Sequence, residues 1–100
     1  MSEDSIEREI QEKNLNAPRL TPSLIDSVID STDYHVFGDT CLTVCCLTLK
    51  NGFTVTGESA CASPENFDES IGRKIAFEQA RNKIWMLEGY LLKQKLFAGK

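Results

Sequence analysis

One hundred residues with a formal net charge of −4 and 41% apolar side chains fit one small globular domain. The acidic balance excludes unspecific coating of long nucleic acid, and the lack of any run of about 18 apolar residues excludes a membrane-spanning helix. The start, MSEDSIEREI, has no apolar core of the kind a secretory signal needs, so a soluble cytoplasmic protein is expected. A chain this short is marginally stable alone, which favours a homo-oligomer, a dimer or higher.

Residues 3–13 read as a polar first helix. Ser2 is placed to cap it, and Glu3, Asp4 and Glu7 suit the positive end of its dipole. Its apolar content is thin, Ile6, Ile10 and then Leu15, so residues 1–17 are expected to fray or to dock on a partner, with the compact core at 20–97. Asn16, Ala17 and Pro18 interrupt it. Thr21-Pro22 restarts a helix, with Thr as N-cap and Pro in the first turn, predicting a helix over 22–30 with Leu24, Ile25, Val28 and Ile29 inward.

Residues 34–37 read as a first strand, Gly38-Asp39 as a turn, and 41–49 as a second strand rich in β-branched and apolar residues. Asn51-Gly52 before Phe53-Thr54-Val55-Thr56 is a strong hairpin signal. A two-residue turn sets Lys50 opposite Phe53. It gives a core face of Leu42, Val44, Cys46, Thr48, Phe53, Val55 and Cys61. The opposite face (Thr43, Cys45, Leu47, Leu49, Thr54, Thr56) is apolar enough to need cover from a helix or another subunit. Residues 59–67 form a loop, and Asn66 or Asp68 caps a last helix over 68–96. Ala76, Ala80, Ile84, Leu87 and Leu91 recur along it at helical spacing, and Gly89 is a point where it bends or breaks. The fold class is α+β: N-terminal helices, a small antiparallel sheet with an Asn-Gly hairpin, and a long C-terminal helix.

Little here points to catalysis. The four cysteines, Cys41, Cys45, Cys46 and Cys61, contain no C-x-x-C pair, and His35 is the sole histidine, so no zinc site and no cofactor is expected. They read as reduced thiols packed like small apolar residues. His35, in a strand, reads as structural. Gly72-Arg73-Lys74 lacks the spacing of a phosphate-binding loop. The chain is therefore read as a binding protein and not an enzyme.

Two groups of side chains could bind. Phe77, Arg81 and Trp85 follow one another at i, i+4 and i+8, with Lys74 and Glu78 beside them. A guanidinium between aromatics offers a fork for phosphate and flat surfaces for a base. The same spacing equally fits a core edge with the Arg81 stem packed against two aromatics. The 58–68 loop (Glu58, Ser59, Ser63, Glu65, Asn66, Asp68) fits either a polar ligand or helix capping. Residues 1–40 carry nine acids against Arg8, Lys13 and Arg19, a surface suited to a basic host protein.

The pieces Thr21-Pro22 with Ile25, Leu49 to Gly57, Ser59-Ala60-Cys61, Pro64 to Asp68 and Ala76 to Leu92 together resemble a family of small bacteriophage proteins named after gene products of phages N-four and Sf-six. The resemblance covers about residues 20–95. It implies a phage accessory protein acting in the host cytoplasm. The pattern is also similar to the Tad1-type Thoeris anti-defence sponges, which hold cyclic ADP-ribose-like signals or cyclic oligonucleotides without cleaving them. That similarity implies a small nucleotide signal as partner and a site drawn from Arg81, Phe53 and Asn66, to which Trp85, Phe77 and Lys74 are added from the helix face. The alternative is an inhibitor that binds a host enzyme through the acidic N-terminal surface.

Overall fold

The computed structural model describes residues 3–13 and 17–99. The expected cap at Ser2, the contribution of Leu15 and the break at Asn16 lie outside the described residues. The elements are α1 (Glu3–Glu12), α2 (Pro22–Ser27), β1 (Ile29–Val36), β2 (Thr43–Leu49), β3 (Thr54–Ser59), a 3-10 turn (Pro64–Asn66) and α3 (Glu69–Ala98). The three strands form an antiparallel meander in the order β1-β2-β3, and α3 lies across the face of β3 and β2. The fold is α+β, as the sequence indicated.

Thr21 caps α2, its hydroxyl accepting from the Leu24 N–H at 3.1 Å with Pro22 in the first turn. The helix ends at Ser27, three residues short of the expected bound. The chain from Ile29 on enters the sheet, Ile29 pairing with Leu49 and Val36 with Thr43. Cross-strand pairing thus outweighs local helix preference, and β1 is twice the length that the 34–37 segment suggested. The turn to β2 uses Asp39 at φ 63°, a left-handed position that aspartate tolerates.

The hairpin corrects the expected core face. Its loop has three residues, Lys50, Asn51 and Gly52. The Leu49 N–H donates to the Phe53 carbonyl at 2.8 Å, and the Gly52 N–H to the Leu49 carbonyl at 2.8 Å. Gly52 takes φ 90°, the left-handed residue that closes a three-residue hairpin loop. Relative to a two-residue turn, the register shifts by one, so Val55 opposes Leu47 and not Thr48. A one-residue shift exchanges the faces of one strand against the other. The buried face therefore carries Thr43, Cys45, Leu47, Leu49 and Val55, while Val44, Cys46 and Thr48 are only partly buried on the other face and Phe53 is 55% exposed at the tip. The cover anticipated for the Cys45-Leu47-Leu49 face is α3 of the same chain.

The core is Ile25, Cys45, Leu47, Leu49, Val55, Ala76, Ala80 and Ile84. Small residues on α3 let the helix lie close to the sheet. Gly57 shows how close, since a Cβ there would stand 2.1 Å from the Ala76 carbonyl oxygen and 2.4 Å from the Ala80 nitrogen. Asp68 caps α3, its Oδ1 accepting from the Ile71 N–H at 3.0 Å. The helix runs unbroken through Gly89, so the possible break is not found. Leu20 packs beside Gly89, 3.8 Å from where a Cβ would be. Beyond Ile84 the stripe leaves the sheet, and Leu87 and Leu91 are partly exposed together with Met86, Tyr90 and Phe97.

Candidate functional site

α3 carries Lys74, Phe77, Arg81 and Trp85 along one side, and the N-terminal helices close over the last two. Arg81 is held from three directions. Its Nε donates to Asp26 Oδ1 at 2.8 Å, Nη1 to Glu3 Oε2 at 2.6 Å and Nη2 to the Pro22 carbonyl at 3.3 Å. Trp85 Nε1 donates to the same Glu3 oxygen at 2.9 Å. One carboxylate oxygen of α1 thus receives a charged and a neutral N–H from adjacent turns of α3. The Arg81 side chain is 13% exposed, whereas its partners Glu3 and Asp26 are 36% and 63% exposed, so the guanidinium is sheltered while solvent reaches the carboxylates. The hydrogen bond with Glu3 raises the guanidinium pKa above its ordinary value against the opposing effect of burial, and Asp26 adds to the rise.

A second arginine fixes α1. Arg19 grips Glu7 with both terminal nitrogens, at 2.7 and 2.8 Å, and this contact holds the Glu7 carboxyl below the usual carboxylate range. α1 itself has no fully buried residue, so its seat depends on Glu3 and Glu7 more than on apolar packing. Two recesses flank Glu3. One of about 290 Å³ is lined by Glu3, Ile6, Ile10, Leu20, Pro22 and Trp85, among others. The other, of about 190 Å³, is lined by Glu3, Glu78, Arg81 and Asn82.

The remaining sequence-derived candidates are dispersed. Phe77 is half-buried against the core, and Lys74 is exposed about 10 Å along the helix from Arg81. Asn66 stands in the 3-10 turn before α3, about 20 Å of helix from Arg81. Phe53 and Ser59 are at opposite ends of the hairpin, about 20 Å apart, so Phe53 and Asn66 do not share a pocket within one chain. Arg81 and Trp85 are the pair that the fold brings together. Their partners Glu3 and Asp26 escaped the sequence reading because Glu3 lies 78 residues from Arg81, with no local pattern to link them.

The 58–68 loop is occupied largely by its own structure. Asp68 caps α3, Ser63 bonds to Glu65, and the Glu58 N–H donates to Gln79 Oε1 at 3.0 Å. His35 is exposed, its ring edge-on to Phe37 at 4.5 Å between centroids. Among the described residues, no group of three or more His, Cys, Asp or Glu is placed to hold a metal ion, and no helix is long and apolar enough to cross a membrane.

Neither the comparison with curated proteins nor that with solved structures found a match. A model of the phage protein (N4 Gp49/phage Sf6 gene 66) family matches residues 20–96, which takes in α2, the whole sheet and nearly all of α3 and leaves α1 outside. The chain therefore belongs to this phage protein family, with α1 standing before the matched span.

Proposed function

We propose that this phage accessory protein sequesters a small anionic ligand of the nucleotide class at the Arg81–Trp85 notch, without cleaving it, and thereby blunts a host defence signal. The observation that carries the reading is the shared Glu3 oxygen. Arg81 Nη1 and Trp85 Nε1 converge on one point, and a carboxylate from outside the family span fills it. A phosphate oxygen has the charge and the acceptor capacity to take that place, with the Trp85 ring beside it for a base. Glu3 then acts as an internal competitor, and the apparent affinity falls by the fraction of molecules in which α1 is seated. The kinship with Tad1-type sponges suggested by the sequence motifs belongs to this proposal, as does a homo-oligomer in which Phe53, Asn66 and Lys74 of other copies complete the pocket.

The test is calorimetry with cyclic ADP-ribose isomers and cyclic di- and trinucleotides, each compound being recovered by chromatography. The expected result is binding with the compound intact. Affinity should rise about tenfold in Glu3→Gln or after removal of residues 2–13, and fall about tenfold in Trp85→Phe, which keeps the packing and deletes the N–H. Absence of binding by the shortened chain would dismiss the reading, and turnover would dismiss its non-enzymatic part.

A second reading has its own observation. An open concavity of about 560 Å³ is lined by Asp4, Glu7, Gln11, Thr21, Pro22, Ser23 and Asp26, three of them carboxylates. It suits a basic surface of a host enzyme. Removal of residues 2–13 distinguishes the two, since it should abolish capture of a host protein while sharpening nucleotide binding.

A further inference from the structure

The β2–β3 register ends at the Thr43–Ser59 pair. Continued two residues beyond, the same antiparallel register sets Cys41 opposite Cys61. A step of two keeps each side chain on the face of Thr43, the face covered by α3. Both cysteines line one small cavity of about 120 Å³ with Phe67, Ile71, Gly72 and Ile75. Both are free and partly exposed. The Cys61 side chain is the main cause that lifts the Cys41 thiol above its ordinary value, with burial adding to it.

We propose that Cys41 and Cys61 form a dithiol that closes to a disulfide by exchange with a disulfide oxidant. One thiolate attacks oxidised glutathione, forming a mixed disulfide and releasing glutathione thiolate, which takes up the proton. The second cysteine then attacks the protein sulfur of the mixed disulfide and releases a second glutathione. Two thiols are oxidised and one external disulfide is reduced. The new bond ties the chain entering β2 to the chain leaving β3, beneath the first turns of α3. The other two cysteines do not compete. Cys45 is fully buried, and as neighbours in a strand Cys45 and Cys46 point to opposite faces.

The experiment incubates the folded chain with oxidised glutathione, quenches it, alkylates it after denaturation and reads the intact mass and a peptide map. The alkylatable thiols should fall from four to two with no retained glutathione, the map should join Cys41 to Cys61, and dithiothreitol should restore all four. Cys41→Ser and Cys61→Ser should each retain one glutathione in place of an internal bond. The oxidised wild type should melt at a higher temperature than the reduced form. Four thiols left free, glutathione retained on the wild type, or a bond to Cys45 or Cys46 would overturn the proposal.

Discussion

At the scale of single residues, the contact between sheet and helix is set by what is missing. Gly57 has no Cβ because the α3 backbone occupies the place where one would be, and that backbone cannot move aside without parting Ala76 and Ala80 from the sheet. Gly57→Ala is expected to cost about 3 kcal/mol or to prevent folding, which chemical denaturation will read. The opposite sign is expected at Thr43. Its hydroxyl is buried with no hydrogen-bond partner among the described residues and lies 3.0 Å from where a Cβ of Gly72 would stand. Thr43→Val keeps the shape and removes the unmatched polar atom, so the chain should gain about 1 kcal/mol and unfold at higher denaturant. The two substitutions probe the same interface, and both follow from the register.

At the scale of elements, α1 and α3 show how differently two helices are held. α3 is capped, presents a small-residue stripe and buries Gly72, Ala76, Ala80 and Ile84. α1 is pinned in part by the Glu7–Arg19 contact, so its seat is sensitive to acid. Glu7 has its pKa depressed by Arg19. A group with a depressed folded-state pKa stabilises fully above its unfolded value, about 4.5, and loses that contribution as pH falls through the lower folded value. Trp85 is the sole tryptophan and bonds to α1, so its fluorescence reports the seat. Emission should be steady from pH 7 to about 5 and change below about 4.5, before global unfolding by circular dichroism. Loss of both signals together would show that α1 is integral to the cooperative unit.

At the scale of the whole molecule, the family span holds the fold, and the N-terminal helix before it carries only the proposed control of the Arg81–Trp85 notch. Residues 20–96 contain every core residue, and α1 adds none. Removal of residues 2–13 should therefore leave a cooperatively folding chain with only a small fall in stability from the lost ion pairs. A shortened chain that does not fold would make α1 part of the scaffold. The proposed self-association has its natural seat on the outer half of α3, where Met86, Tyr90 and Phe97 are about 70% exposed, and sedimentation velocity will show whether the chain dimerises.

The sequence by itself determined the elements whose signals are local. Thr21-Pro22, Asp68, the Asn-Gly hairpin and the Ala76-Ala80-Ile84 stripe each act through neighbours within a turn or two, and each appears where its chemistry placed it. It also marked Arg81 and Trp85 as one surface, because helical periodicity alone brings them together. Only the tertiary structure decided which face of the sheet is buried. Leu42-Val44-Cys46 and Thr43-Cys45-Leu47 are both apolar enough to serve, and a single residue of loop length, resolved by Gly52 at positive φ, selects between them. The partners of Arg81 were decided in the same way. Ion pairs with Glu3 and Asp26 bridge 78 and 55 residues of chain, and no periodicity encodes a contact made by folding one end of the molecule onto the other.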